Sequence, residues 1–357
     1  MKSVAVVAAT LLLAGCHVVT EKESGDNAAS ADKAASADPT SLRFIDIKVP
    51  GGGYRDSLVL RAQVLLDRAG FSAGVIDGRE GASYVLALRG FQEGNGLPVT
   101  GALDAATLAA MQRWRDVAAT RTVSIPAGFA RGPFIPDFPK DAAEQAKLPV
   151  LGYRNLIEAL AERFHTTPQM LAALNPRQGR AFGTLRVPNI PDVDPATLGK
   201  DERGWNRTLQ SLGVASRQPE AARVVVDKSD GALRVLDAQD RLIAQFPATM
   251  GSNHDPLPLG RWKIQGISRN PDFHYNPKLF WDVSDQKAPV LLKPGPNGPV
   301  GVVWLDLSKP HYGIHGTGEP QTIGRAESHG CVRLTNWDAA RLAQMVVKLG
   351  IPAVFQQ

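Results

Sequence analysis

The chain has 357 residues, of which 43% are hydrophobic and 21% charged, and its formal net charge at pH 7 is +5. This length corresponds to about two to three domains of roughly 100–200 residues each. The sequence contains no long run of lysine or arginine, so a nucleic acid partner is not expected. The two cysteines, Cys16 and Cys331, are too few for a disulfide-rich scaffold or a four-cysteine metal site.

The N-terminus predicts an export signal followed by a tether. Residues 4–13 form an apolar run that is too short to span a bilayer, which is typical of a signal peptide over residues 1–15. The run ends in Leu13-Ala14-Gly15-Cys16, which resembles the lipobox of bacterial lipoproteins. The resemblance implies a lipid on Cys16 and a periplasmic lipoprotein of the cell envelope, anchored in the outer membrane. A plain signal peptide or an uncleaved buried segment is the alternative. Residues 16–41 are polar and predict a flexible tether.

Residues 42–118 predict a small three-helix domain. Leu58, Ala62 and Leu65 lie on one helical face, and two glycine-bounded turns separate the later helices. The motif series resembles the peptidoglycan-binding domain that accompanies many cell-wall enzymes. The matching residues are Ala69-Gly70-Phe71, Val75-Ile76-Asp77-Gly78, Gly81, Phe91-Gln92, Gly96-Leu97-Pro98, Thr100-Gly101, Asp104 and Thr107. A three-helix bundle without a binding role is the alternative.

The middle of the chain predicts a small module between two linkers. Its prolines mark residues 119–146 as a linker, and residues 193–220 are predicted to be a second one. Residues 147–192 resemble a LysM module of two helices on a two-stranded sheet, which implies glycan binding. The matching residues are Ala161-Glu162-Arg163-Phe164, Thr167, Leu171, Leu174-Asn175-Pro176 and Leu185-Arg186-Val187-Pro188. The usual Gly-Asp-Thr before the first helix is absent, so a spacer module remains the alternative.

Residues 221–357 predict a mostly β domain with one late helix. Short strand-like runs such as 224–226 and 302–305 alternate with turns rich in glycine, proline and asparagine. Thr335 is expected to cap the late helix, with Asp338 three residues further on.

Two motifs before that helix carry the candidate chemistry, His315-Gly316-Thr317 and Ser328-His329-Gly330-Cys331-Val332-Arg333. A thiol beside an imidazole is expected to have a lowered pKa and to act as a nucleophile. The glycines allow backbone N–H groups to approach the oxygen of a substrate carbonyl. A metal site made of His315, His329 and Cys331 is the weaker alternative, because the spacing is not typical of zinc.

These motifs resemble the catalytic domain of L,D-transpeptidases, the YkuD family, whose hallmark is a histidine followed at a distance by Ser-His-Gly-Cys. The resemblance spans nearly all of residues 221–357, including Met250-Gly251, Pro258-Leu259-Gly260, Asn270-Pro271 and the loop 294–301. It implies a β-sandwich with one late helix.

The resemblance also implies a role for each motif residue. Cys331 is the expected nucleophile and His315 its base, oriented by the carbonyl of Gly316. His329, Gly330 and Cys331 would supply the oxyanion hole. The residues expected to bind substrate are Ser328, Arg333, Thr317, Tyr275 and Trp281.

The implied reaction is acyl transfer on peptidoglycan, which needs no metal or other cofactor. The thiolate would cleave the bond between the L-centre of the diamino acid and D-Ala in a tetrapeptide stem, and an amine of another stem would take the acyl group. Attachment of a protein to peptidoglycan and L,D-carboxypeptidase cleavage use the same residues and remain open, as does a non-enzymatic wall-anchoring lipoprotein.

Overall fold

The computed structural model describes residues 41–47, 57–176, 183–277, 288–325, 328 and 330–357. The predicted signal peptide, Cys16, Trp281 and His329 lie outside the described residues. Among the described residues, no helix is both long and apolar enough to cross a bilayer.

The described helices and strands are as follows in chain order. The helices are α1 (Leu58–Arg68), α2 (Ala82–Gly94), α3 (Ala105–Ala110), α4 (Ala127–Ala130), α5 (Ala142–Gln145), α6 (Leu156–Arg163), α7 (Pro168–Leu174), α8 (Trp205–Leu212) and α9 (Asn336–Met345). The strands are β1 (Ile45–Asp46), β2 (Thr120–Ser124), β3 (Thr184–Pro188), β4 (Arg223–Asp227), β5 (Ala232–Leu236), β6 (Leu242–Pro247), β7 (Thr249–Met250), β8 (Gly260–Arg269), β9 (Phe273–Tyr275), β10 (Val290–Leu292), β11 (Val303–Leu307), β12 (Gly313–His315), β13 (Val332–Arg333) and β14 (Pro352–Gln356).

The first module, residues 57–118, is helical as its sequence predicts. Ser57 caps α1 by accepting a hydrogen bond from the N–H of Leu60, and Asp104 caps α3 through the N–H of Thr107. Side chains of α1, α2 and the turns between them pack into one apolar core that contains Leu66, Leu88 and Phe91. The short polar side chains satisfy the first N–H groups of these helices, which explains where the helices begin.

The middle module departs from the predicted boundaries. β2 lies inside the segment 119–146 that was predicted to be a linker, and it pairs antiparallel with β3, so that Thr120 faces Pro188. The module is therefore a strand, a long insertion, two helices and a returning strand, with β1 of residues 41–47 added beside β2. The prolines that suggested a linker lie after β2, in the insertion, where the missing N–H breaks no ladder.

The C-terminal module, residues 221–357, contains a nine-stranded sheet in the order β6-β5-β4-β14-β8-β11-β12-β13-β7. The first half of β8 pairs with β14 and its second half with β11, so this long strand belongs to both halves of the sheet. Both halves contribute to one apolar core, which agrees with the mostly β domain predicted from sequence.

The segment 193–220, predicted as a linker, contains α8. Trp205, Leu209 and Leu212 are buried in the core of the C-terminal module. Their spacing of four and three residues is that of one helical face, and this signal was available in the sequence.

The first module covers an edge of the sheet. The backbone N–H of Ser72 donates to the carbonyl of Gln245 on edge strand β6 at 2.9 Å, and the amide of Gln245 donates to the carbonyl of Leu86 at 2.7 Å. An edge strand leaves unpaired backbone groups, which these contacts satisfy.

Helix α9 is buried on both sides because all three modules meet on it. Thr335 caps it through the N–H of Asp338, as predicted. One face of α9 packs into the core of the C-terminal module. The other face meets the first two modules: Trp337 stacks on His165 of the middle module at 4.9 Å between ring centroids, and Arg341 pairs with Asp67 of α1.

The charges on this second face form one buried cluster. Arg341 donates to both carboxylate oxygens of Asp67, at 3.0 and 2.7 Å, and His165 Nδ1 lies 3.1 Å from the same carboxylate. His165 Nε2 lies 2.7 Å from the carbonyl of Leu212, and the hydroxyl of Ser72 donates to Asp338 at 2.7 Å. Hydrogen bonds thus offset the cost of burying these charges.

The two carboxyl groups of the cluster, those of Asp67 and Asp338, differ in pKa. Burial would raise the pKa of Asp67, but Arg341 and His165 outweigh burial and hold that pKa below its ordinary value. Burial raises the pKa of Asp338 to about 7, and the single contact with Arg341 only partly opposes this. Asp67 is therefore the charge that neutralises Arg341 at neutral pH.

We expect Asp67→Ala to lower the free energy of unfolding by about 3–5 kcal/mol, because it leaves the buried Arg341 without its counter-ion. Urea denaturation of the full chain measures this loss. The matched control is Asp46→Ala, which removes an exposed partner of Arg121 and should cost less than about 1 kcal/mol. Equal losses in the two variants would contradict the importance of the cluster.

Candidate active site

Two adjacent parallel strands bring the candidate motifs together. Ile314 of β12 faces Val332 of β13, and His315 faces Arg333. Cys331 directly precedes β13 and is two residues before Arg333. Side chains alternate along a strand, and Cys331, Arg333 and His315 therefore point to the same face of the sheet.

That face opens into a cavity of about 480 Å³. Its lining residues are Asp255, Ser268, Pro271, Asp272, Phe273, His274, Pro299, Val300, Trp304, His311, Tyr312, His315, Cys331 and Arg333. Of the residues predicted to act at the site, His315, Cys331 and Arg333 line it. Tyr275 lies on β9, one residue beyond His274, and is not among the described lining residues.

His315 is buried, and its ring is held on two sides. Its Nδ1 lies 2.7 Å from the carbonyl oxygen of Gly316, and its ring stacks on Trp304 with centroids 5.7 Å apart. A carbonyl can only accept, so Nδ1 carries the proton and Nε2 is left as an acceptor. Burial, with Arg333 adding to it, lowers the pKa of His315 to about 4. The imidazole is thus a neutral base at physiological pH.

Cys331 differs from the sequence-based expectation of a lowered thiol pKa. Burial raises the pKa of its thiol above the ordinary value, although a backbone hydrogen bond with Gly313 and the charge of Arg333 act in the opposite direction. The neutral His315 imidazole adds no positive charge that would help to lower it. The resting pair is therefore a neutral thiol and a neutral imidazole.

Ser328 holds two loops together beneath the cavity. Its hydroxyl accepts from the N–H of Gly251 and donates to the carbonyl of Cys331, both at 2.6 Å. Its own N–H donates to the carbonyl of Gly251 at 3.1 Å. Ser328 is buried and does not line the cavity. This position supports the loop of Cys331, whereas the sequence suggested contact with substrate.

Gly330 has a backbone conformation that requires glycine. Its φ is +88°, and a Cβ there would lie 2.7 Å from the ring of Tyr312. Glycine is the residue that adopts this conformation without strain, directly before Cys331.

Gly316 lies against Asn336, the first residue of α9. A Cβ on Gly316 would collide with Asn336 Oδ1. Thr317, which was predicted to bind substrate, accepts a hydrogen bond from the N–H of Glu319 at 3.2 Å and is not among the described lining residues.

Several lining residues were not singled out by the sequence as site residues. Asp255 lies in a loop that Ser328 ties to Cys331, and Asp272 pairs with Arg203 at 2.7 Å on the opposite rim. His311 has a φ of +69° and places its carbonyl 3.9 Å from Cys331 Sγ. His311 lies in the turn that connects the antiparallel pair β11 and β12, where the N–H of Leu307 donates to the carbonyl of Tyr312 at 3.2 Å.

The described residues contain no group of three His, Cys, Asp or Glu side chains arranged to hold a metal ion.

Comparison with known proteins agrees with this geometry. A family model for the L,D-transpeptidase catalytic domain, YkuD, matches residues 221–351, and one described as "Putative peptidoglycan binding domain" matches residues 55–111. The "Putative L,D-transpeptidase YkuD" of Bacillus licheniformis is 31% identical over 196 residues, which cover 53% of this chain and 87% of that relative. The chain belongs to the YkuD family of L,D-transpeptidases.

A second L,D-transpeptidase relative, the "Putative L,D-transpeptidase YkuD" of Bacillus subtilis, is 34% identical over 111 residues, which cover 31% of this chain and 52% of that protein. A solved L,D-transpeptidase from Mycobacterium smegmatis aligns at 21% identity with a TM-score of 0.32, over 38% of this chain and 59% of that one. A TM-score this low supports no conclusion, and membership of the YkuD family follows from the sequence matches.

The protein is therefore a peptidoglycan L,D-transpeptidase of the cell envelope, with a peptidoglycan-binding domain before its catalytic domain. The mostly β C-terminal module and the helical first module confirm the corresponding sequence predictions.

We expect the alkylation rate of Cys331 by iodoacetamide to rise about tenfold per pH unit from pH 7 to above pH 8, because only the thiolate reacts and a raised pKa keeps it scarce. Mass spectrometry of the peptide that contains Cys331 follows the reaction. A rate that is already constant by pH 7 would contradict a raised thiol pKa.

We expect Gly316→Ala to lower kcat/KM by about 100-fold, because the added Cβ displaces Asn336 and shifts the carbonyl that orients His315. Kinetics of D-Ala release measure the effect. Gly266→Ala is the matched control, since its Cβ would meet that of Asp306 at an ordinary 3.4 Å. A Gly316→Ala variant as active as this control would contradict the expected role of Gly316.

Proposed function

We propose that Cys331 is the nucleophile of the transpeptidase and His315 its general base. The observation that carries this proposal is their shared face: parallel β12 and β13 aim both side chains into one cavity, and Gly316 fixes the ring so that Nε2 is the acceptor. Because both groups are neutral at rest, the thiol proton passes to Nε2 as sulfur attacks the substrate carbonyl.

The first half of the reaction forms a thioester. Sγ bonds to the carbonyl carbon at the L-centre of the diamino acid, and the proton on His315 passes to the departing amine as the bond to D-Ala breaks. Backbone N–H groups at Gly330 and Cys331 stabilise the negative oxygen, together with that of His329, which lies outside the described residues. The positive φ of Gly330 supports this role.

The second half transfers the acyl group. An amine of another stem loses a proton to His315 and attacks the thioester, and the C–S bond breaks to restore the thiol. A cross-link between stems results. A protein amine or water in place of the stem amine would give protein attachment or carboxypeptidase cleavage.

Substrate contacts are proposed for Arg333 and for the remaining predicted residues. Arg333 lines the cavity beside Cys331, where its charge suits a substrate carboxylate. The substrate contacts of Thr317, Tyr275 and Trp281 stay predictions. The position of Ser328 supports a different role, that of holding the nucleophile loop.

The proposal extends to location and wall binding. Cys16 would carry the lipid of an outer-membrane lipoprotein after removal of residues 1–15, and the tether would let the folded modules reach the wall. The middle module would be LysM-like and bind glycan. Its strand–helix–helix–strand order supports this, with β2 and β3 paired and α6 and α7 between them in sequence. Its boundaries would be residues 119–192 rather than 147–192.

We expect Cys331→Ala to abolish both D-Ala release and cross-link formation from tetrapeptide muropeptides, since it removes the sulfur on which the proposed acyl intermediate forms. His315→Ala should lower the rate by about 100-fold or more, the usual contribution of a general base. Mass analysis of the products distinguishes stem cross-links, protein attachment and cleavage.

The control for this experiment is Cys16→Ser. It removes the other thiol and should leave the purified enzyme fully active, because Cys16 is assigned only to anchoring. Activity that survives Cys331→Ala would overturn the nucleophile assignment.

A further inference from the structure

A carboxyl group of the middle module reaches into the C-terminal module. Glu162 on α6 is buried, with 5% of its surface exposed, and its Oε1 accepts a hydrogen bond from Asn336 Nδ2 at 2.8 Å. Asn336 is the first residue of α9 and is fully buried. The contact is therefore shielded from water, where a hydrogen bond is strongest.

The amide of Asn336 is held at both ends. Its Nδ2 also donates to the carbonyl of Pro296 at 3.0 Å, and its Oδ1 accepts from the N–H of Val302 at 3.1 Å. Two acceptors face the nitrogen and a donor faces the oxygen, so only one orientation of the amide satisfies them all. Glu162 is one of the three groups that define this orientation, with the carbonyl of Pro296 and the N–H of Val302.

Asn336 in turn holds the segment that orients the base. Its Oδ1 lies so close to Gly301 and Gly316 that a Cβ on either would collide with it. The carbonyl of Gly316 is the group that accepts from His315 Nδ1 at 2.7 Å. Asn336 thus occupies the space directly beside the Gly316 peptide, whose carbonyl orients the imidazole.

We propose that Glu162 is a positioning residue for His315: its carboxylate holds Asn336, which holds Gly316, so a residue of the middle module sets the orientation of the catalytic base. This rests on the proposed role of His315. The middle module then acts on the chemistry itself, in addition to any binding of the cell wall.

The charge environment makes this contact sensitive to pH. Burial raises the pKa of Glu162 to about 7, and the neighbouring Glu158 adds to this, while hydrogen bonds from Tyr153 and Asn336 oppose it. Glu158 is itself paired with Arg154 at 2.6 Å. The group that contacts Glu162 from α9 is the neutral amide of Asn336. Above pH 7 the carboxylate accepts a charge-assisted bond from Asn336, which is stronger than the bond to the neutral acid below pH 7.

A purely structural role predicts a different outcome. If Glu162 only docks one module on the other, its loss would lower the melting temperature and leave the turnover of the folded enzyme unchanged. If it positions His315, its loss would lower kcat with little change in KM, because substrate binding does not depend on the orientation of the base.

The experiment measures kcat and KM for D-Ala release by the full chain and its variants between pH 6 and pH 8.5. We expect Glu162→Ala to lower kcat by at least tenfold and to change KM by less than threefold. Glu162→Gln keeps an acceptor for Asn336 and should rescue kcat to within threefold of the wild type at pH 6. The ratio of wild-type kcat to that of Glu162→Gln should then rise severalfold through pH 7.

Glu319→Gln is the control. Glu162 and Glu319 both line a cleft between the middle and C-terminal modules, which is separate from the catalytic cavity. Glu319 is exposed, and its described hydrogen bonds involve only its backbone. The ratio of wild-type kcat to that of this variant should not change with pH.

Two results would overturn the proposal: a folded Glu162→Ala variant with wild-type kcat, or a ratio of wild type to Glu162→Gln that stays flat between pH 6 and pH 8. If Glu162→Ala does not fold, the second measurement decides alone. An inactive wild-type enzyme would instead refute the proposed function, so the two failures are distinguishable.

Discussion

The bidentate pair between Arg341 and Asp67 is the contact on which the arrangement of the three modules depends. It joins the last helix of the C-terminal module to the first helix of the described chain, across 274 positions of sequence. His165 of the middle module completes the cluster by approaching the same carboxylate. A buried charge with two partners from other modules leaves few relative positions in which all three modules can pack. The peptidoglycan-binding domain and the catalytic domain are thus joined through buried, paired charges.

Helix α9 contacts both the other modules and the segments beside the candidate active site. Its Trp337, Asp338 and Arg341 contact the other modules, while Asn336 at its start touches the segments around Gly301 and Gly316. One helix therefore belongs both to the interface between the modules and to the support of the segment that holds His315. Its buried residues include the polar Asn336, Asp338 and Arg341, which have hydrogen-bond partners in the other modules or in neighbouring loops.

The sequence predicted much of the fold, because many of its signals are local. The caps at Ser57, Asp104 and Thr335 each need only a short side chain and the N–H groups three residues ahead. The strand β2 was missed because its partner β3 lies about sixty residues later, and prolines nearby dominated the local pattern. Helix α8 was missed although its apolar spacing was visible.

The sequence likewise predicted only the part of the candidate site that local motifs indicate. Cys331 and His315 were singled out from their motifs, whereas Asp255 and Asp272 reach the cavity through loops that are held by contacts with Ser328 and Arg203, distant in sequence. The state of the thiol could not be read from its neighbours in sequence, since burial decides it and burial is a property of the folded cavity. The link from Glu162 to Asn336 joins residues 174 positions apart and has no local signature.

The neutral thiol of Cys331 has a consequence for the durability of the enzyme. Thiolates attack peroxides and disulfides, whereas protonated thiols react with them slowly. An enzyme of the cell envelope works outside the reducing systems that protect cytosolic thiols. In the proposed mechanism the thiolate forms only when a substrate carbonyl is in place to receive it, so the buried thiol would resist oxidation between turnovers.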